Sequence, residues 1–244
     1  MTARIQLCGS FIVELIPGVT TAFPSRQTRV LFAYLVLSRP HPVTRDVLVD
    51  ALWGDTSPAS AGAALSVLIS RLRTTVGSDL IRGRTEVAIA LPDDTQVDVE
   101  TAFAALHTAE SAIATGEWQR AWFSALTAQF NARRALLPEV ELAWVDSWRR
   151  RLADVRVRAL EAYASACLEL GGPELPGAER ASRELLEVAP LRETGHLMLM
   201  RSLAAAGNTA EALAAYERLR RHLRDELGVN PSRDLQDAYQ ALLI

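Results

Sequence analysis

The amino-acid sequence predicts a mainly α protein in two parts, a mixed N-terminal part with small β-sheets and an all-helical remainder. Three observations support this fold class. Apolar residues alternate at period two near the N-terminus, from Ile5 to Leu15. Between Thr44 and Leu91, two helical patterns are followed by a hairpin pattern. From Asp98 onward the pattern is helical almost without interruption.

The first elements can be assigned one by one. Short strands are predicted from Ile5 to Phe23, where apolar residues alternate with polar ones. Ser25 can cap a first helix from about Arg26 to Ser38, because its side chain can accept a hydrogen bond from the backbone of the first turn. A second helix is predicted from Thr44 to about Leu52.

The third predicted helix and the segment after it carry the strongest signal. Ser57 and Pro58 are typical of a cap and a first turn, and Gly77 is typical of a helix end. The helix carries two arginines in Ser70 to Arg73, and a hairpin with the turn Arg82 to Arg84 follows. A helix with an apolar back and an arginine-bearing front, followed by a basic hairpin, predicts a winged helix-turn-helix. The apolar back consists of Leu65, Leu68, Ile69, Leu72 and Val76.

Glycine or proline marks most joints between the helices predicted after Asp98. Gly171 and Gly207 are 36 residues apart, which is close to the roughly 34-residue period of tetratricopeptide helix pairs. The alanine-rich segment from Ala210 to Tyr216 is typical of the second helix of such a pair, because alanine allows close helix packing. The second part is therefore predicted to be a tetratricopeptide-like helical repeat.

These patterns place a domain boundary near residue 97. Residues 1–97 are predicted to form the winged helix-turn-helix domain, and residues 98–244 the all-α tetratricopeptide-like domain. The run from Leu91 to Thr95 resembles a linker between them. A chain of 244 residues is long enough for two ordinary domains.

The composition is that of a globular protein, with 49% hydrophobic and 23% charged residues. The net charge of −3 does not by itself favour a nucleic-acid partner. The distribution is more informative, because Arg71 to Arg84 contains four arginines and a single acid, Asp79. All 26 basic residues are arginine, so any phosphate contact must use the planar guanidinium group.

Nothing in the sequence indicates a membrane protein. No apolar run approaches the roughly 18–20 residues that span a bilayer. Residues 1–6 lack the layout of a signal peptide. We therefore expect a cytoplasmic protein with no membrane partner, in which Cys8 and Cys167 are buried free thiols.

The outward side of the third helix, together with the hairpin turn, predicts a DNA-contacting surface. In a major groove, serine can hydrogen-bond to bases or phosphates, valine can touch a thymine methyl, and arginine can reach phosphate or guanine. The turn arginines would contact the minor groove, and the arginine near the start of the second helix would meet the phosphate backbone. An ordinary solvated face remains the alternative. The predicted DNA-binding residues are Ser66, Val67, Ser70, Arg71, Arg73, Thr74, Arg82, Arg84 and Arg45.

Two tryptophan pairs at helical spacing invite a ligand-pocket interpretation. Trp118 and Trp122 are four residues apart, and Trp144 and Trp148 repeat this spacing. Such stripes more often form the core between helices, and that is our prediction. The basic run from Arg149 to Arg151 is likewise predicted to be a solvated helix face that pairs with nearby acids.

No arrangement of residues predicts catalysis. The four histidines are scattered, and Glu193 with His196 has no third metal ligand nearby. The sequence contains no serine–histidine–acid arrangement, glycine-rich phosphate loop or paired-carboxylate motif. We therefore expect no enzyme activity, no catalytic residue, no cofactor and no metal site.

The order of these parts resembles the Streptomyces antibiotic regulatory protein type of transcriptional activator. In that family a winged helix of the response-regulator type precedes a bacterial transcriptional activator domain built from tetratricopeptide-like helices. The resemblance covers nearly the whole chain. The matching stretches are Val43 to Leu48, Leu52 to Asp55, Ser70 to Arg73, Val76 with Gly77, Asp98 with Phe103, Ala189 to Glu193, Ala212 to Tyr216 and Asp225 to Pro231.

This resemblance implies a DNA-binding transcriptional regulator that acts as an activator. The implied partners are double-stranded DNA and RNA polymerase. Two copies are expected to bind repeated operator sites as a homodimer, at least on DNA. The resemblance also implies that the loop of Trp53, Gly54 and Asp55 contacts the polymerase, although Trp53 alternatively fills the core beside the helix junction.

Two other functions stay open at this stage. The small residues Ala63 and Ser66 on the third helix, and the electrically neutral N-terminal part, favour a helical-repeat adaptor whose degenerate winged helix no longer reads DNA sequence. A positive stripe that joins the arginines of the helix and the hairpin favours DNA, whereas acids that interrupt it favour the adaptor. The third possibility is the front part of a longer, ATP-driven regulator, but the sequence contains no nucleotide-binding motif.

Overall fold

Helices form in this protein where apolar residues recur with helical spacing, and most of them end beside a glycine or proline. The computed structural model describes residues 2–243, and of Asp55 it describes the backbone alone. Over this range the protein is mainly α, as predicted. The strands are β1 (Arg4–Gln6), β2 (Ile12–Glu14), β3 (Val43–Thr44), β4 (Ile81–Arg82), β5 (Glu86–Ile89) and β6 (Gln96–Val97). The helices are α1 (Arg26–Ser38), α2 (Arg45–Trp53), α3 (Ala61–Val76), α4 (Asp98–Ala114), α5 (Trp118–Ala132), α6 (Ala143–Leu170), α7 (Leu175–Val188), α8 (Glu193–Ala205), α9 (Thr209–Leu227) and α10 (Arg233–Ala241).

Internal contacts divide the chain into two compact units. The N-terminal unit comprises the residues up to Glu100 together with Arg134–Arg151. The helical unit comprises Thr101–Arg133 and the residues from Leu152 onward. This grouping is not a single cut of the chain, so the division into domains at residue 97 stays a prediction.

The first sheet of the N-terminal unit has the strand order β2-β1-β6. β1 pairs with β2 in antiparallel fashion, with Ile5 opposite Val13, and with β6 in parallel fashion, with Ile5 opposite Val97. Residues 91–95 lead directly into β6, and Thr95 is buried. This segment belongs to the N-terminal unit, and its role as a linker stays a prediction.

Residues 134–151 join the N-terminal unit through backbone pairing. Cys8 forms an antiparallel bridge with Leu136. The amide of Gly9 donates to the carbonyl of Ala135 at 2.8 Å. Arg149 then holds the segment in shape, because its guanidinium group donates to three backbone carbonyls. These are the carbonyls of Leu136 at 3.0 Å, Leu137 at 2.6 Å and Val140 at 2.9 Å.

Helices α1, α2 and α3 and the second sheet form the predicted winged helix. The sheet order is β3-β5-β4, and β4 and β5 make the hairpin wing with Ile81 opposite Ile89. Ser25 caps α1, since its hydroxyl accepts a hydrogen bond from the amide of Thr28 at 3.2 Å. The core between the helices consists of fully buried side chains, because each helix turns its apolar side inward. The largest of them are Leu31, Phe32, Leu35, Leu48, Leu65 and Leu72.

Helix α3 begins later than the sequence predicts. Ser57 and Pro58 precede the helix, whose first residue is Ala61. The amide of Ala61 donates to the carbonyl of Pro58 at 3.0 Å, so the chain makes a separate turn before the helix. Helical hydrogen bonding then starts from the carbonyl of Ser60. The proline therefore sits in this turn and not in the first turn of the helix.

The helical unit is built from helices that pack on their neighbours along the chain. The contact between α7 and α8 is close, because a Cβ atom on Gly195 would lie 3.0 Å from the side chain of Leu185. The stretch from Pro173 to Gly177 forms no extended loop. Instead, a 3-10 turn at Gly172–Glu174 leads straight into α7, and Pro176 occupies its first turn.

Candidate nucleic-acid interface

Helix α3 presents two different sides, as its sequence predicts. The inward residues Leu65, Leu68, Ile69, Leu72 and Val76 are all buried. On the other side, Val67 is 49% exposed. The polar residues of the same side are Ser66, Ser70, Arg71 and Thr74, and all of them are exposed.

The wing places two arginines at an exposed turn. Arg82 and Arg84 flank Gly83, and all three residues are exposed. Gly83 has a φ of +89°, and a Cβ atom there would lie 1.8 Å from the carbonyl oxygen of Glu86. Only glycine fits this turn, because any side chain would collide with the opposite strand. The Nε of Arg82 donates to the carbonyl of Asp79 at 3.2 Å, which orients its guanidinium group.

Arg73 connects α3 to the wing. Its Nε donates to the carbonyl of Ile81 at 3.1 Å, and a second guanidinium nitrogen donates to the carbonyl of Gly83 at 2.5 Å. The side chain is half-buried. Two donors of a planar group therefore fix the angle between the helix and the hairpin.

Arg45 makes a second connection, from the start of α2. It donates to the hydroxyl of Ser66 at 2.6 Å and to the carbonyl of Gly62 at 3.1 Å, both on α3. A third bond, at 3.4 Å, reaches the carbonyl of Arg84 in the wing. Sequence reasoning found Arg45 as a possible phosphate contact but missed this connecting role, because its three acceptors lie 17 to 39 positions further along the chain.

The predicted DNA-binding residues thus fall into two groups. The side chains of the first group form hydrogen bonds within the protein. Besides the three arginines described above, Arg45, Arg73 and Arg82, this group contains Ser66 and Thr74. The hydroxyl of Ser66 donates to the carbonyl of Gly62 at 2.9 Å, and the hydroxyl of Thr74 donates to the carbonyl of Ser70 at 3.1 Å. In the second group, the side chains of Arg71 and Arg84 form no hydrogen bond or salt bridge with any residue in the described range. Val67 and Ser70 share the exposed side with Arg71.

The charge of this surface is not neutralised by nearby carboxylates. Arginines 45, 71, 73, 82 and 84 form no salt bridge with any described acid. Their observed acceptors are carbonyl and hydroxyl oxygens, which carry no net charge. We call the exposed side of α3, the hairpin turn and Arg45 of α2 together the arginine face.

The loop predicted to contact polymerase is a short 3-10 turn at Gly54–Thr56. The amide of Gly54 donates to the carbonyl of Asp50, and the hydroxyl of Thr56 donates to the carbonyl of Trp53 at 2.7 Å. Trp53 is half-buried, while the side chain of Asp55 lies outside the described parts of the structure. The loop is therefore held in shape by its own hydrogen bonds.

A hollow of about 280 Å³ lies beside this loop, within the N-terminal unit. The Nε1 of Trp144 donates to the carbonyl of Ala51 at 2.9 Å, and its ring meets that of Tyr34 edge to face. Val47 on the rim is 43% exposed. Sequence reasoning expected Trp144 in the core between helices and missed this hollow. The lining residues also include Asp50, Gly54, Leu142 and Ala143.

Asp98, one of the residues that carry the family resemblance, has a structural role. Its carboxylate accepts hydrogen bonds from the amides of Leu7 at 2.9 Å and Cys8 at 2.8 Å. Burial raises the pKa of Asp98, and these hydrogen bonds oppose that rise. Burial, together with the neighbouring Asp98, also raises the pKa of the Cys8 thiol, which therefore stays protonated.

Neither a metal site nor a membrane segment is found in residues 2–243. No three histidine, cysteine, aspartate or glutamate residues within this range cluster closely enough to hold a metal ion. No helix within it combines the length and the apolar character that crossing a bilayer requires.

Two protein families match the chain. Residues 97–243 match the bacterial transcriptional activator domain, and residues 22–88 match the family described as transcriptional regulatory protein, C terminal. The second match includes α1, α2, α3 and the wing up to Ala88. The two matched ranges follow one another in the order that the sequence predicts.

Individual relatives are transcriptional or regulatory proteins of actinobacteria. The regulatory protein AfsR of Streptomyces coelicolor is 33% identical over 242 residues, which cover 93% of this chain but only 23% of AfsR. The transcriptional regulatory protein EmbR of Mycobacterium tuberculosis is 27% identical over 242 residues, covering 93% of this chain and 60% of EmbR. The regulatory protein DnrI of Streptomyces peucetius is 29% identical over 248 residues, covering 93% and 87%. The chain thus spans less than a quarter of AfsR.

A solved structure supports the fold. Mycobacterium tuberculosis EmbR, in complex with a low-affinity phosphopeptide, superposes with a TM-score of 0.86 at 24% identity. The superposition covers 99% of this chain and 65% of that chain. The predicted fold class, a winged helix followed by an all-α domain, is confirmed.

Proposed function

The chain belongs to the transcriptional activators of the Streptomyces antibiotic regulatory protein type, which carry a bacterial transcriptional activator domain, and we propose that it binds double-stranded DNA through its arginine face. The observation that carries this proposal is electrostatic. Five arginines converge on α3 and the wing, and no described carboxylate pairs with any of them. A surface of this kind attracts the phosphate backbone.

In this proposal the arginine face divides into contacting and positioning residues. Arg71 of α3 and Arg84 of the wing reach phosphate or base edges with guanidinium groups that the described residues leave available. Val67 and Ser70 lie on the same side of α3 and meet the floor of the major groove. Arg82 adds a contact beside the wing.

Arg45 and Arg73 act mainly as positioning residues. Their donors hold the wing against α3, and this sets the distance between the helix and the hairpin that a duplex must match. A guanidinium group has five N–H donors, so each arginine keeps donors for a phosphate as well. Ser66 and Thr74 support the same geometry through their hydrogen bonds within the protein.

We further propose that two copies bind side by side on repeated operator sites and recruit RNA polymerase. The loop of Trp53, Gly54 and Asp55 is a candidate for the polymerase contact, because its hydrogen bonds hold it in shape beside a partly apolar hollow. We retain the division into a winged helix at residues 1–97 and a bacterial transcriptional activator domain at residues 98–244. The adaptor alternative receives no support, because no described acid pairs with the arginine stripe.

A DNA-binding titration tests the proposal. A fragment identified by genomic footprinting is titrated with the unaltered chain, with the double variant Arg71→Ala/Arg84→Ala, and with the control Arg233→Ala. Arg233 is a highly exposed arginine of α10, far along the chain from the winged helix. We expect the double variant to lower the salt dependence of binding by about one unit per lost phosphate contact. The control is expected to bind as the unaltered chain does.

Two results would overturn the proposal. One is an unaltered chain that binds no DNA near physiological salt. The other is a double variant with unchanged affinity and salt dependence. Arg73 is left intact in this test because its replacement would also move the wing.

A further inference from the structure

Helix α5 of the helical unit has an exposed apolar face. Phe123 is 67% exposed, Phe130 is 60% exposed and Leu126 is 39% exposed. At about 100° per residue, the three side chains point within roughly 60° of one another. Single exposed apolar residues are ordinary, but two phenylalanines and a leucine on one helix face are typical of an interaction surface. We call these three residues the α5 face.

The same stretch of helix carries no charge. Residues 121–132 contain no aspartate, glutamate, lysine or arginine. Three of its polar side chains already donate hydrogen bonds within the protein: the hydroxyl of Thr127 to the carbonyl of Phe123 at 2.9 Å, the amide of Asn131 to the carbonyl of Thr127 at 2.8 Å, and the amide of Gln129 to the carboxylate of Glu184 at 3.3 Å. Burying the face against a partner would therefore leave few polar groups without hydrogen bonds.

A hollow of about 470 Å³ opens at the N-terminal end of this face. Trp122 and Phe123 form one wall, and Leu170 and Pro173 form another. Phe130 projects at the opposite end of the face, two turns further along α5. One surface thus carries both an exposed ring and an apolar hollow that can receive such a ring.

We propose that the α5 face binds a second copy of this chain. When two copies of α5 pack antiparallel about a two-fold axis beside Leu126, Phe130 of each copy enters the hollow beside Phe123 of the other. Leu126 of one copy then meets Leu126 of the other at the axis. Leu126 lies at the axis because it is next to the midpoint of the helical segment between Phe123 and Phe130. A two-fold contact requires this kind of self-complementary surface.

Charges at the two ends of α5 fit the same arrangement. Arg133 follows the C-terminal end and is exposed, and Glu174 lines the hollow at the other end. Neither residue forms a salt bridge within the described part of the chain. Antiparallel packing brings Arg133 of each copy towards the end at which Glu174 of the other lies.

The exposed area indicates a weak association. With roughly 200 Å² for a fully exposed phenylalanine side chain, the two rings expose about 250 Å² per copy. Two copies would bury about 500 Å² of ring surface, roughly a third of the 1,600 Å² of a standard interface. We therefore expect weak association. Neighbouring operator sites would raise the effective concentration and complete the dimer on DNA, a consequence that rests on the proposed function.

Sedimentation equilibrium of the full chain without DNA, from about 1 to about 100 μM, tests the proposal. Leu126→Glu and Leu126→Arg each place two like charges at the axis, and each is expected to raise the dissociation constant at least about tenfold. An equal mixture of the two variants is expected to associate again, because glutamate then faces arginine. The control Val229→Glu changes a valine that is 48% exposed in the loop after α9, and it should associate like the unaltered chain.

Phe123→Glu is the second variant, since its side chain is the most exposed of the three and its replacement disturbs the core least. It should also weaken association, with an unchanged circular dichroism spectrum. An unaltered chain that remains monomeric, or Leu126 variants that associate as the unaltered chain does, would overturn the proposal. Weakened variants that fail to associate when mixed would overturn the antiparallel arrangement. DNA is absent throughout, so none of these results bears on the arginine face.

Discussion

The arginines of the arginine face and the arginines of the helical unit have different partners. On the arginine face of the N-terminal unit, Arg45 and Arg73 bind backbone carbonyls and a hydroxyl group, and they meet no described carboxylate. In the helical unit, arginines pair with acids: Arg158 holds Glu110 with two hydrogen bonds at 2.9 and 2.8 Å, and Arg192 holds Glu161 at 2.7 and 2.9 Å. In the basic run from Arg149 to Arg151, which belongs to the N-terminal unit, Arg149 is half-buried and pairs with Asp146 at 2.9 Å, whereas Arg150 and Arg151 are exposed.

The difference shows how a protein can fix an arginine without losing its charge. A carbonyl oxygen satisfies the geometry of a guanidinium donor and leaves its positive charge in place, whereas a carboxylate cancels that charge. The arginine face therefore keeps its positive charge while hydrogen bonds hold Arg45 and Arg73 in place. The helical unit uses its charged side chains to connect helices, and its exposed α5 face carries no charge at all. This contrast matches the two partners that we propose, DNA and a second copy of the chain.

Among the substitutions that we propose, the largest effect on stability is expected in the wing turn. Gly83→Ala should lower the free energy of unfolding by about 2–4 kcal/mol, because the new Cβ would lie 1.8 Å from the carbonyl of Glu86 at a φ that alanine rarely adopts. Urea denaturation measures the change. DNA affinity should fall in parallel, because the turn that carries Arg84 must move.

Gly18→Ala is the matched control. Gly18 also has a positive φ, +77°, but no atom lies within 4 Å of the position of its missing Cβ. Alanine there should cost only the backbone strain, about 1 kcal/mol. Equal losses in the two variants would show that the wing turn relaxes freely, and that Gly83 does not fix the arginines beside it.

The fold of the arginine face could be predicted from the sequence because its signals are local. Apolar spacing alone identified the inward side of α3, and an arginine–glycine–arginine turn identified the wing. Local patterns failed where the structure depends on distant partners. The connections made by Arg73 and Arg45 use carbonyls of the wing, whose position relative to α3 no spacing rule gives.

The same limit applies to the fold as a whole. β6 joins the N-terminal unit by pairing with β1, where Gln96 lies opposite Arg4, and no local pattern indicates a contact between residues so far apart in sequence. The segment Arg134–Arg151 joins that unit because Leu136 and its neighbours meet the chain around Cys8, a contact between residues more than a hundred positions apart. The α5 face was missed because an exposed apolar stripe and a buried one share the same periodicity.

A pair of arginine variants compares the two units directly. Arg73→Ala removes two hydrogen bonds from a half-buried guanidinium group, and we expect a loss of about 1–2 kcal/mol in the free energy of unfolding. Arg158→Ala breaks a more exposed ion pair with Glu110 and should cost about 0.5–1 kcal/mol. Urea denaturation gives both values, and DNA titration gives the corresponding affinities.

The affinities for DNA should distinguish Arg73→Ala from Arg158→Ala more clearly than their stabilities do. Arg73→Ala is expected to weaken DNA binding, because it removes a positive charge and frees the wing, whereas Arg158→Ala should leave DNA binding unchanged. Arg73→Lys sharpens the test, since lysine keeps the charge but cannot bridge two carbonyls in the same plane. An Arg73→Lys variant with full stability would contradict the positioning role.

The smallest effect that we expect is a pH dependence of stability, and it arises from His196 in the helical unit. Burial lowers the pKa of His196, while its hydrogen bond to the carbonyl of Pro190 and the charge of Glu193 oppose this effect. Because the folded state holds His196 neutral, its contribution to stability is complete above about pH 6.5 and is lost as the pH falls through the lowered value. Urea denaturation between about pH 7.5 and about pH 5.5 should show this loss in the unaltered chain and less of it in His196→Gln.

His107→Gln, which changes an exposed histidine of α4, should retain the full loss. If His196→Gln shows the same pH dependence as the unaltered chain, another group of the helical unit must be responsible.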